Sequence, residues 1–204
     1  MRRRNMRSNS YSVLQIDVLR ELANIGGGNA ATSISSLIGE AISMSIPKVE
    51  ILHYEEVFRT IMSEETKVNA ILMRMMGNAK GYFLFVATDE DSDQLINMMV
   101  PEGIPLDDEI KVSALKELVN ILVSSYLNAL TKLVNTNLIS SVPLYTQDMF
   151  GAILSSVYME AEEYDENIMI MKNEFHYQEE DIEGSLYFIP EPGVLDSLFN
   201  KIGV

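Results

Sequence analysis

Two segments of this 204-residue chain repeat one another at a fixed offset, and the repeat limits the possible folds more than any other feature. Asp17-x-x-x-Glu21-x-x-Asn24 is followed 23 positions later by Pro47, and Ser113-x-x-x-Glu117-x-x-Asn120 is followed 23 positions later by Pro143. Glu, Asn and Pro each recur at an offset of 96, and the flanks LRELANI (19–25) and LKELVNI (115–121) match as well. A single Glu and Asn at this spacing is what a solvated helix face commonly carries. Three matched positions in similar segments indicate an internal duplication.

The rest of each half follows the same plan. Apolar Leu14, Val18, Leu22 and Ile25 recur at helical spacing over 13–38, and Leu115, Leu118, Leu122, Tyr126, Leu130 and Leu133 do so over about 110–135. Each helix leads to a strand carrying the proline, 43–52 and 140–147. Further strands are expected over 68–75 and 80–87, then 167–175 and 184–190, and each half closes with a short helix, 90–99 and 193–202. The halves, 13–100 and 110–204, are joined by the acidic linker PEGIPLDDE (101–109), and EAEEYDE (160–166) reads as the longest loop of the second half. A three-stranded sheet per half would leave an open edge. The expected fold is therefore one pseudo-two-fold α+β domain of two helix-strand-strand-strand-helix halves, sharing a β-sheet with the two long helices on one face.

Charge narrows the function. Four of the 15 Lys and Arg residues lie in the first ten positions, leaving 11 basic against 30 acidic groups from residue 11 onward, a net of −19. A body with that field repels phosphate backbones, so no nucleic-acid partner is expected. The basic tail, residues 1–12, reads as disordered solvated chain. No apolar run is long enough to span a bilayer, so no membrane insertion is expected. With no cysteine there is no disulfide framework or thiolate metal site, and a cytoplasmic location is the simplest expectation.

On an ideal helix Asp17, Glu21 and Asn24 share an arc of about 60°, and Ser113, Glu117 and Asn120 repeat it. Asn is a mediocre helix former with no local reason to sit there twice. Beyond the short matching flanks the two halves have diverged widely while Glu, Asn and Pro stand unchanged, which points to a constrained site rather than inherited surface.

These residues resemble a known family. The pattern [Asp/Ser]-x-x-x-Glu-x-x-Asn, then 22 residues and Pro, is similar to the signature of the CheC/CheX/FliY phosphatases of bacterial chemotaxis, and both copies fit it. The likeness extends through NIGGGNAATS (24–33) and NILVSSYLNAL (120–130), and two intact copies in one chain point to the duplicated, CheC-type branch. The resemblance implies hydrolysis of the aspartyl-phosphate of a CheY-like response regulator, which brings its own Mg²⁺, so that the chain needs no cofactor itself. Asn24 and Asn120 would orient the attacking water, since an amide both donates and accepts without titrating. Glu21 and Glu117 would pair with the regulator's active-site Lys. Asp17 and Ser113 would support, and Pro47 and Pro143 would shape the strands beside each helix. The resemblance also implies a CheD-like receptor deamidase as partner, and an alternative role as its regulatory binding protein with weak phosphatase activity. A monomer is expected.

Other features invite plainer readings. Gly26-Gly27-Gly28 lacks the strand context of a phosphate cradle, and close helix packing or a kink accounts for it better. His53 and His176 have no ligand-spaced companions, so no metal site is expected. No Ser-His-Asp or Cys-His arrangement is visible in the order of the residues. The 13 methionines read mainly as adaptable core.

Overall fold

The computed structural model describes residues 11–135, 137–160 and 167–204. Most of the basic tail and nearly all of the acidic stretch expected as a loop lie outside the described residues. Tyr11 and Ser12, placed with the tail by sequence, belong to the folded chain. Tyr11 packs on Phe199 with ring centroids 5.4 Å apart, and Ser12 closes a capping box with Gln15 at the start of the first helix.

The order is α1 (Val13–Ile38), β1 (Ile42–His53), α2 (Tyr54–Thr60), β2 (Lys67–Gly77), β3 (Gly81–Ala87) and α3 (Asp89–Met99), then α4 (Asp108–Val134), β4 (Leu138–Ser140), β5 (Leu144–Met149), α5 (Phe150–Glu160), β6 (Asn167–Tyr177), β7 (Glu180–Pro190) and α6 (Val194–Ile202). All strand pairs are antiparallel in one seven-stranded sheet of order β1-β6-β7-β3-β2-β4, with β5 also paired to β2. Exchanging the labels of the two halves reverses this order onto itself, so a pseudo-two-fold passes between β3 and β7. Each half sends its first strand to the far edge, where β1 pairs with β6 and β4 and β5 pair with β2. The halves are thus interlocked, and the expected shared sheet is present.

Alternation along the strands sorts side chains to two faces. Ile71, Met73, Phe83, Phe85, Met171 and Phe188 meet α1, α3, α4 and α6, so both long helices share one face as expected. Val68, Ala70, Leu84, Val86, Ile170 and Tyr187 point to the other face, under α2 and α5. These two helices stand outside the helix-strand-strand-strand-helix plan. They follow from burial on both faces, which makes β3 (GYFLFVA) nearly continuously apolar. Tyr54 and Phe150, their first residues, again stand 96 apart.

The prolines interrupt the two edge strands differently. Pro47 falls in a register shift of β1 between Ser45 and Lys48. The strand expected over 140–147 is not continuous: Pro143 lies in the gap between β4 and β5. Proline cannot donate to the ladder, and the Ser141 hydroxyl instead accepts from the Arg74 amide at 2.9 Å.

The buried stripe of α1 also departs from expectation. It consists of Leu19, Leu22, Ala23, Gly26, Gly27, Ala30, Ala31 and Ile34, whereas Leu14 and Ile25 are exposed and Val18 only half-buried. Small residues line this face because α1 is pressed against β1 and α4. A Cβ on Gly26 would lie 2.4 Å from Cδ1 of Tyr126 in α4, and one on Gly27 would lie 2.6 Å from Cε of Met44 in β1. In α4 the expected Leu115, Leu118, Leu122 and Tyr126 are buried, Leu130 is half-buried and Leu133, near the helix end, is exposed. α1 runs unbroken through its glycines, so close packing, and no break, accounts for Gly26 and Gly27.

Gly28 differs, since a Cβ at that position would meet no other atom within 4 Å. Gly26→Ala should therefore lower stability by about 1–3 kcal/mol through overpacking. Gly28→Ala should raise it by up to about 1 kcal/mol through helix propensity. Urea denaturation of the two variants checks both signs.

Candidate functional site

The outward arc of each long helix is what burial of the opposite arc leaves to solvent. Asp17, Glu21 and Asn24 are exposed on α1, as are Ser113 and Glu117 on α4, where Asn120 is half-buried. Each trio therefore shares one accessible helix face, and both faces lie on the side of the molecule away from the sheet. Among the described residues, no hydrogen bond or ion pair engages the side chains of Glu21, Asn24, Glu117 or Asn120. Such groups are available to an incoming partner. Asp17 is already engaged: its Oδ1 accepts from Arg20 at 3.0 Å, an arrangement Ser113 does not repeat. Pro47 lies in the edge strand β1 and Pro143 in the gap between β4 and β5, neither on the long helices.

What lies beneath the helices is closely packed and hydrogen-bonded. The Tyr126 hydroxyl donates to Oδ1 of Asn173 at 2.7 Å, and the Asn173 amide donates to the carbonyls of Met171 and Gly184. Burial pushes the Tyr126 phenol well above its ordinary range, so it stays a neutral donor. The close contact of Tyr126 with Gly26 and this buried bond hold the two helix backbones in register with the sheet.

The surroundings of the two motifs are unlike. Ser113 and Glu117 open onto a groove of about 1400 Å³ between α3, the connection to α4, the end of α1 and the β6–β7 turn. Its lining includes Glu40, Glu102, Glu109 and Glu180 beside Glu117, and, among the described residues, no Lys or Arg. That field favours a cation approaching Glu117. Beyond Asn24, the face of α1 continues through Gly28, Thr32 and Ser36 into a shallow trough against the start of β1.

One constellation was not legible in the sequence. Ser45 on β1, His176 on β6 and Asp181 on β7 come together, with His176 Nδ1 2.5 Å from Asp181 and Nε2 3.3 Å from Ser45 Oγ. Only strand register joins them, since Ser45 and His176 are 131 positions apart. The single hydroxyl proton of Ser45 goes to Glu174 at 3.0 Å, so the histidine is not placed to abstract it. The cluster is a cross-strand polar ladder. Among the described residues, no group of three or more His, Asp or Glu side chains is arranged to hold a metal ion. Nor is any helix there long and apolar enough to cross a membrane.

The CheC-like family model matches residues 14–51, which include all of α1 but its first residue, with Glu21 and Asn24, and most of β1. A Bacillus subtilis (strain 168) protein described as CheY-P phosphatase CheC is 30% identical over 198 residues, covering 93% of this chain and 94% of that protein. The chain belongs to the CheC-like family. Its fold agrees: Thermotoga maritima FliY superposes with a TM-score of 0.73 at 18% identity, over 95% of this chain and 98% of the other. The chemotaxis protein CheX from Desulfovibrio desulfuricans does so at 0.58 and 11%, over 84% and 99%. This CheC-like chain carries its two Glu-x-x-Asn motifs on the long helices, with Glu21, Asn24 and Glu117 exposed and Asn120 half-buried.

Because these arcs bear no packing load, Glu21→Ala/Asn24→Ala and Glu117→Ala/Asn120→Ala should each change unfolding free energy by less than about 0.5–1 kcal/mol. Urea titrations followed by circular dichroism check this, and a cooperative loss of structure would place these residues in the fold instead.

Proposed function

We propose that the chain hydrolyses the aspartyl-phosphate of a CheY-like response regulator at two sites, Glu21/Asn24 and Glu117/Asn120. The observation that carries this reading is the repeated presentation of an unengaged carboxylate and an unengaged amide, three residues apart, on solvent-facing helix arcs of a CheC-like fold. An aspartyl-phosphate with bound Mg²⁺ already carries most of what phosphoryl transfer requires. The missing part is a water held in line with the phosphorus, worth orders of magnitude when well placed. In this reading Asn24 or Asn120 accepts a hydrogen bond from that water through its carbonyl oxygen and leaves the leaving carboxylate untouched. Glu21 or Glu117 accepts from the regulator's Lys ammonium and fixes how deeply the helix enters. The Mg²⁺ belongs to the regulator. Asp17 and Ser113 support their sites, Asp17 through its pair with Arg20.

The roles separate kinetically. Asn24→Ala with Asn120→Ala should lower kcat at least about tenfold, since the water loses its partner. Glu21→Ala with Glu117→Ala should act mainly on KM. Phosphate release from a phosphorylated CheY-like regulator measures both. If all four alanines together leave release as fast as in the unaltered chain, this reading fails.

A second role, binding a CheD-like deamidase, is favoured by the apolar edge of the second half, where Ile139, Val142 and Leu144 are exposed on β4, β5 and the gap between them. Co-elution on gel filtration tests it, with Val142→Asp expected to abolish the complex.

A further inference from the structure

Leu14 and Ile25 fit the spacing of a core stripe, yet they are 59% and 47% exposed. Their positions are not random on the surface. On an ideal helix Leu14 and Ile25 lie about 20° and 40° from Glu21, on the same outward arc. At the offset of 96 stand Ile110 and Ile121, half-buried, in the same relation to Glu117. Each motif is thus bracketed by two large apolar side chains, one two turns before the Glu and one directly after the Asn.

We propose that Leu14 and Ile25, and at the second motif Ile110 and Ile121, are docking residues that hold an apolar patch of the phosphorylated receiver domain and set its affinity. The proposal rests on the reading of Glu21/Asn24 and Glu117/Asn120 as the sites of attack. Its physical basis is the footprint of any such partner. Even a small transient interface covers roughly 600 Å² on each side, a disc about 14 Å in radius. Ile25 stands about 6 Å and Leu14 about 10 Å along the axis from Glu21. A folded domain that brings reacting atoms to both Glu21 and Asn24 therefore lies over both apolar side chains.

The division of labour follows from chemistry. The carboxylate pairs with a cation, and that attraction weakens with salt. Burial of Leu14 and Ile25 removes apolar surface from water and does not weaken with salt, so it supplies the part of affinity that persists at high ionic strength. Ile110 and Ile121 have less exposed surface to lose, so truncating them costs less affinity than truncating Leu14 and Ile25.

The test isolates one motif. In a chain whose second motif is silenced by Glu117→Ala/Asn120→Ala, Leu14→Ala/Ile25→Ala should raise the regulator concentration at half-maximal phosphate release about tenfold, at low and at high salt, with kcat changed less than twofold. Ile25→Leu should restore most of the affinity lost by Ile25→Ala. Calorimetric titration with a beryllofluoride-loaded receiver domain should show the same weakening without turnover. Unchanged half-saturation and unchanged binding overturn the proposal, as does a fall confined to kcat. If the unaltered chain binds the receiver but releases no phosphate, the catalytic reading fails and the calorimetric comparison still decides the docking role. No binding by the unaltered chain overturns both.

Discussion

The contact of the Tyr126 ring with Gly26 governs where everything else on the long-helix face can sit. The ring occupies the space a side chain at Gly26 would take, so α1 and α4 approach with backbone against ring. Its hydroxyl is then fastened to Asn173 inside β6, and Asn173 bonds across to the Gly184 carbonyl of β7. Gly184 in turn leaves room for the Phe85 ring of β3. One path of close packing and satisfied polar groups thus runs from α1 through α4 into the middle strands. With the inner arc of each helix fixed in this way, Glu21, Asn24, Glu117 and Asn120 have only the outer arc to occupy.

That same contact breaks the symmetry of the duplication. The counterparts of Gly26 and Ala30 on α1 are Leu122 and Tyr126 on α4, so small residues on one helix face large ones on the other. Two copies of the large pattern would collide and two copies of the small pattern would leave a void. The cost is that the surroundings of the motifs cannot be alike. Gly28 and Thr32 leave a trough beyond Asn24, where Ser124 and Asn128 stand beyond Asn120. The connection between the halves walls a groove beside Glu117, and among the described residues no such connection stands beside Glu21.

Periodicity and repetition reveal much of this, and their failures have physical causes. The bounds of α1 and most strand spans emerge well, because apolar residues of the right period fill them, whereas the span 140–147 is broken at Pro143 into β4 and β5. The buried face of α1 is misread because its core residues are Gly and Ala, whose burial reflects closeness of backbone and not hydrophobicity. α2 is missed because seven residues hold too few turns for a period, and α5 because its apolar run resembles a strand core. The Ser45–His176–Asp181 cluster depends on register between strands from opposite halves, which no local pattern encodes. The Glu and Asn pairs are legible for the opposite reason. They serve no packing need, so their repetition stands out against positions that diverged. The identity of the substrate is written nowhere in the residues.

The likeness to FliY and CheX at 18% and 11% identity shows how little the core demands in common. A fold held by apolar alternation and a few glycines places no requirement on the outer arcs of its helices, so the fold alone carries no activity. What an outer arc does gain from the fold is rigidity. Two side chains three residues apart on a helix differ by about 4.5 Å along the axis, a spacing that no loop would hold as firmly. In the proposed reaction, placing a water in line tolerates errors of less than about 1 Å. A change that loosens Gly26 against Tyr126 would therefore reach the outer arc as lost placement, even though both residues are buried. Stability of the buried face and precision of the exposed face are one property of the helix pair.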